Sequence, residues 1–307
     1  MIVSAGRDIS QTSGLNQGMG SPSHDIGRQF SDERLNALLT LLGDENPAVW
    51  GPVRAQWLTA GESALRWLGS RRLHSDPIIR RRAGEILDEV AAGPAEEAFL
   101  KFSLQHGEHF NLERAVWLFT CTRYPREQPE AWGALFDEYA NDIRGQMPPA
   151  TTGKSMLVAI RQRLFAGLDL RGNEADYYNP ENSYPHRVII RRLGNPLALS
   201  LIYLFIARRL ELPVSGIGMP GHFICRYQSL QEQFYIDAFH GGALLTRADC
   251  MKRLQTLSIA QDDHLLLPIS SRRILQRMIH NLYIIHKERK ESAESNRLQR
   301  YLVALAR

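Results

Sequence analysis

From Ser31 to Val90 apolar residues return every three or four positions, as in Leu35, Leu38, Leu39, Leu41 and Leu42, then Val53, Trp57 and Leu58, then Ala64, Leu65 and Leu68. That is the period of helices burying one stripe. Asn46-Pro47, Gly61 and Asp76-Pro77 interrupt it, so the spacing predicts several short helices. The run from Leu41 through Val49, followed by a helix and then Gly61 to Leu68, reads as one HEAT-like helical pair, and a second starts at Asp76-Pro77 and runs through Leu87. Further helices are predicted at Ala95 to Leu104, Leu112 to Arg123 and Pro129 to Arg144. Tyr124-Pro125 ends the middle one, because a residue before proline avoids the helical basin. Pro148-Pro149 and Thr151-Thr152-Gly153 then punctuate the chain before a helix over Ser155 to Phe165.

Between Gly172 and Tyr184 the sequence is a polar, aromatic loop, with Asn, Asp and Pro to make turns and tyrosines to anchor it by ring burial. The segment from Pro196 to Leu210 is apolar on nearly every side, which places it inside a core. Pro196 suits the first turn of that helix, where its missing N–H leaves no bond unmade. Three strands are expected next, over Val214 to Met219, Gly221 to Tyr227 and Gln233 to Phe239, as an antiparallel meander against the apolar helix. Helix returns after Gly241-Gly242, and Ser271 to Lys287 with Ser292 to Ala306 reads as a closing hairpin whose Ile274 to Leu282 pattern is similar to half a tetratricopeptide-type (TPR-like) repeat. The fold class is therefore α+β and mostly helical, with a central buried helix against a small antiparallel sheet.

Composition narrows the function classes. A chain of 307 residues builds one large or two ordinary domains. No apolar run approaches the ~20 residues of a membrane helix, so no membrane partner is expected. Residues 1–31 lack apolar periodicity and a signal-type hydrophobic region, and are read as a disordered tail. Cys121, Cys225 and Cys250 are odd in number and widely spaced, which argues against a disulfide framework or zinc cluster and for a reducing, cytoplasmic setting. The net charge of +4 resides largely in arginine doublets and triplets such as Arg80-Arg81-Arg82 and Arg208-Arg209. Without interleaved aromatics or a groove-reading motif, these read as solvated helix faces, and nucleic acid is a disfavoured partner.

Five ordered motifs carry a family resemblance: Tyr178 to Tyr184, Arg192 to Ser200 with Gly194-Asn195-Pro196 at its centre, Leu212-Pro213-Val214, Gly221-His222-Phe223, and Tyr235 to Gly242. Over about residues 95–285 the chain resembles the SirB-type transglutaminase-like family, within the transglutaminase-like superfamily of papain-like fold, whose bacterial members often carry tetratricopeptide repeats. The resemblance implies a Cys-His-Asp constellation in which His222 and Asp237 match the last two members and Pro196 stands where the nucleophilic cysteine belongs. Together with the spacing, it divides the chain into a tail over 1–31, a helical region over 32–150, a transglutaminase-like core over 151–268 and a helical hairpin over 269–307, the HEAT-like start and the end lying at or beyond the edges of the resemblance.

In a working site of this kind the imidazole takes the thiol proton, the carboxylate orients the ring and the helix N-terminus lowers the thiol pKa. If strands pair across Ser229 to Glu232, Asp237 falls opposite or diagonal to His222, within hydrogen-bond reach. The pair then either serves chemistry or ties two strands together. Cys225, three residues past His222 on a strand, is expected on the other face as a buried hydrophobe. Ser200, one helical turn beyond Pro196, is expected to bond back to a helix carbonyl. Asn179, Glu181, Asn182, Asn195, Ser200 and His240 are candidate pocket residues, with capping and turn formation as the competing role. No cofactor is called for, and no metal site is read, because no His or Glu partner stands at ligand spacing. The sequence thus points to a catalytically inactive scaffold that binds a protein or peptide. The alternative is a hydrolase or acyltransferase using His222 and Asp237 with a non-standard nucleophile.

Overall fold

The computed structural model describes residues 30–148, 151–256, 258 and 262–306. The expected tail over 1–31 and Pro149 therefore lie outside the described residues, except Phe30 and Ser31. Ser31 accepts the Arg34 N–H through its hydroxyl and caps α1 (Asp32–Leu42), and half-buried Phe30 packs on the first core. The chain divides into two compact units, 1–87 and 88–307.

The first unit holds α1, α2 (Pro47–Leu58), α3 (Glu62–Ser70) and the opening turns of α4 (Pro77–Gln105). The leucine stripe, Val53, Trp57, Leu68, Ile79 and Ile86 form its core, and Trp57 stacks on Trp67 at 6.1 Å between ring centroids. Buried Arg82 donates to the carbonyls of Leu42 (2.6 Å) and Asp44 (2.5 Å), satisfying acceptors left over at the end of α1.

Unbroken helix runs through Pro94, where sequence spacing starts a new helix at Ala95. A proline forfeits one helical hydrogen bond. Its ring here is exposed, and the flanking Ala91, Ala92 and Ala95 are the strongest helix formers available.

The second unit is built around α9 (Pro196–Arg209), buried except at Leu204, Arg208 and Arg209. Around it pack α5 (Leu112–Arg123), α6 (Pro129–Gly145), α7 (Gly153–Arg161), α8 (Pro185–Arg191), α11 (Ser271–Glu288) and α12 (Ser292–Ala306). The predicted helix over Ser155 to Phe165 starts at Gly153 and passes at Gln162 into a π-helical turn ending at Gly167. The meander is present, with shorter strands: β3 (Val214–Ile217), β4 (Ile224–Gln228), β5 (Gln233–Asp237) and a further strand β6 (Ala243–Leu245), antiparallel in the order β3-β4-β5-β6. The short helix α10 (Arg247–Thr256) follows β6. Its Cys250, Met251 and Leu254 join Ile217, Ile224 and Tyr235 in a small core on the sheet face away from α9.

A two-residue parallel pair, β1 (Arg171–Gly172) with β2 (Leu193–Gly194), was not legible from spacing. It brings the polar loop to the start of α9. Both glycines are required there: a Cβ on Gly172 would lie 2.6 Å from the Phe239 ring, and one on Gly194 2.8 Å from Val188. Among the described residues no helix is long and apolar enough to cross a membrane.

Candidate functional site

His222 lies not on a strand but in the turn before β4, just after Gly221, whose φ of +66° favours glycine. The Arg277 guanidinium, from α11, donates to the carbonyls of Met219 (2.6 Å) and His222 (2.7 Å) and holds this turn from behind. Asp237 ends β5. Strand register puts Ile224 opposite Asp237, so His222 reaches it diagonally. The His222 Nε2 is 2.9 Å from Asp237 Oδ1.

The carboxylate is 2% exposed and crowded with donors. His240 Nδ1 lies 2.8 Å from Oδ2, Arg253 Nη1 of α10 donates to the same oxygen at 2.6 Å, and the His240 N–H donates to Oδ1 at 3.3 Å. Burial pushes the Asp237 carboxyl up, but the hydrogen bonds and charge of His222 and His240 outweigh it and hold it well below the usual carboxylate range. An ionised carboxylate only accepts, so His222 donates to it from Nε2, and in the neutral form of the ring Nδ1 is the basic nitrogen. Phe239 stands edge-on to His222 with 6.2 Å between centroids, and Tyr177 packs on Phe239 at 6.0 Å.

Pro196 is the first residue of α9 and is buried. Before it, Asn195 caps the helix by accepting the Ala198 N–H (2.8 Å), while its Nδ2 donates to Ser183 Oγ (2.9 Å) and its N–H to the Asn182 carbonyl (3.0 Å). Asn182 in turn accepts from Asn173 (3.0 Å) and Arg191 (3.2 Å) and donates to the carbonyls of Asp176 and Tyr177. Asn179 caps the 3-10 turn Pro180–Ser183, and Glu181 pairs with Arg187 (2.9 Å) and Arg191 (3.4 Å). These four candidates thus spend polar atoms on neighbouring side chains and on the backbone around the start of α9.

Ser200 and Cys225 meet deeper in the core: Cys225 Sγ lies 3.7 Å from the Ser200 carbonyl. The Ser200 hydroxyl has no partner among the described residues, where back-bonding was expected. Burial, then the Asp237 charge, push the Cys225 thiol up to about 12 against the opposing bond to Ser200, so it is neutral and inert at neutral pH. Of the candidates, the structure therefore brings His240 to the His222–Asp237 pair. Sequence reading missed Arg253 and Arg277, which arrive from helices 16 and more residues away with no spacing signal. A groove of about 790 Å³ lies elsewhere, lined by Leu204, Leu212, Val214, Ile269 and Ile274 among others.

Residues 130–280 match the transglutaminase-like superfamily. The chain is 32% identical over 185 residues to a UPF0162 protein of Xylella fastidiosa strain Temecula1, across 58% of this chain and 66% of that protein, just under two thirds of its length. It is also 36% identical over 141 residues to F-box only protein 21 of Homo sapiens, across 43% of this chain and 22% of that protein. No solved structure matches it. A buried helix opening at Pro196, a meander presenting His222 and Asp237, and these matches agree in making residues 130–280 similar to the transglutaminase-like superfamily and the chain similar to the UPF0162 proteins.

Proposed function

We propose that this chain is a SirB-type, cytoplasmic, non-catalytic member of the superfamily whose domain binds a protein or peptide segment. The observation carrying this reading is Pro196 at the first turn of α9, where a reactive cysteine would profit from the helix N-terminus. Neighbouring candidates for a replacement do not help: Cys225 is buried and neutral, and Ser200 is 0% exposed. The HEAT-like pairs and TPR-like hairpin proposed from sequence would add helical faces of the kind that carry protein partners. The match to F-box only protein 21 covers 22% of that protein, which fits a domain used as a part within differently built chains.

The second reading, a hydrolase, rests on the assembled His222–Asp237 pair with a basic Nδ1, suited to activating water. Incubating the full chain with a displayed library of random peptides, and following both retention and cleavage by mass spectrometry, separates the two. Retention of a defined peptide class without cleavage is expected. Cleavage that disappears in His222→Ala would replace the scaffold reading with the hydrolase.

A further inference from the structure

His222, Asp237 and His240 come together at the end of β5. Each offers one metal-ligating atom, and the three atoms lie within 4.8 Å of one another. Two imidazole nitrogens and one carboxylate oxygen are the donor set that three-ligand zinc sites use. We propose that this cluster binds a divalent transition metal, zinc first, through His222 Nε2, an Asp237 oxygen and His240 Nδ1. The proposal concerns binding and stands whether or not the chain turns over a substrate.

Three features support it. Each imidazole needs only to move its proton to the other ring nitrogen, His222 to Nδ1 and His240 to Nε2, freeing the nitrogen that faces the carboxylate. His240 is 45% exposed while His222 and Asp237 are 7% and 2% exposed, so an ion has an entry side and a buried floor. The Arg277 bonds to the Met219 and His222 carbonyls fix the backbone of the first ligand.

One group opposes it. Arg253 holds Asp237 Oδ2 at 2.6 Å, so the ion must share the carboxylate with a guanidinium or take Oδ1. Removing that competitor should tighten binding.

The test uses untagged full-length protein, stripped with a chelator, and titrated with Zn²⁺ by calorimetry and with Co²⁺ by visible absorption. One zinc per chain is expected, with intense Co²⁺ bands of a four- or five-coordinate site. His240→Ala should weaken binding at least about 10-fold, and Arg253→Gln should strengthen it several-fold. His109→Ala, on an exposed loop, should change neither. His240 is half exposed, so its variant should keep the fold, and circular dichroism checks this. No binding by the wild-type protein, or binding indifferent to His240→Ala, overturns the proposal.

Discussion

At Asp237 one buried carboxylate answers two histidines and an arginine. Its pKa is depressed relative to the 3.8 of an unfolded aspartate, so the folded state binds fewer protons below that value. The associated stability is present in full above about pH 5 and is lost as pH falls through 3.8 toward the folded pKa. Urea titrations between pH 6 and pH 2.5 should show this slope, and Asp237→Asn should flatten it.

His186 offers the opposite chemistry at the same scale. It is fully buried among Trp117, Tyr124, Trp132 and Tyr184, with both ring nitrogens lacking a hydrogen bond among the described residues and Glu127 3.9 Å away. Burial, against the opposing charge of Glu127, lowers its pKa from 6.5 to about 4. Between those values the unfolded chain takes the proton that the folded one refuses, so stability falls as pH drops from 6.5 to 4. His186→Phe keeps the ring and removes two unsatisfied nitrogens. It should raise stability by about 1 kcal/mol and erase that part of the pH dependence, as read from melting temperatures at pH 7 and pH 5.

At the scale of elements, helix ends are held by arginines reaching across the fold. Arg272, at the start of α11 and 7% exposed, donates to the carbonyls of Leu305 at the end of α12 and of Ser103 and His106 at the end of α4. Arg272→Met would take this donor from all three carbonyls, leaving Leu305 only the Gln276 amide. A loss of about 2–4 kcal/mol is expected, measured by urea denaturation, and a loss under about 0.5 kcal/mol would mean water replaces the guanidinium without penalty. Gly172→Ala presses a methyl into the Phe239 ring and should cost about 1–3 kcal/mol.

Long elements were legible from sequence because their signals are local: the all-round apolar run of α9 and the stripes of α11 and α12 are found close to where spacing puts them. The strands came out shorter than their apolar runs, because Met219 and Gly221 turn the chain early and leave His222 outside β4. Placing Cys225 by counting from His222 along one pleat therefore lacked its premise. The contact of Cys225 with Ser200 shows that it faces α9. The pairing of Arg171–Gly172 with Leu193–Gly194 is two residues long and far apart in sequence, too short to leave a periodic trace.

At the scale of the whole molecule, the first unit keeps its own leucine and tryptophan core, and the helices after Leu87 belong to the unit that contains α9. Sequence punctuation at Pro148-Pro149 and Thr151-Thr152-Gly153 marks a boundary near residue 150. Punctuation marks where a helix stops but not which core its neighbours share. The His222–Asp237 pair was legible because its motifs lie close in sequence and in strand register. The metal-ligand grouping was not, because His240 comes back to Asp237 through a tight turn that spacing rules for helices do not describe.

His222 and Asp237 are hydrogen-bonded while Pro196 opens α9 at the position the resemblance assigns to the nucleophile. Pro196→Cys tests this assignment most directly: the rate of iodoacetamide alkylation is followed against pH, with Cys121 present as an internal reference and with His222→Ala as the partner variant. The expected result is a folded protein whose new thiol titrates below the ~8.5 of free cysteine, a shift that His222→Ala removes. An unfolded variant, or a thiol with ordinary reactivity indifferent to His222, would contradict it.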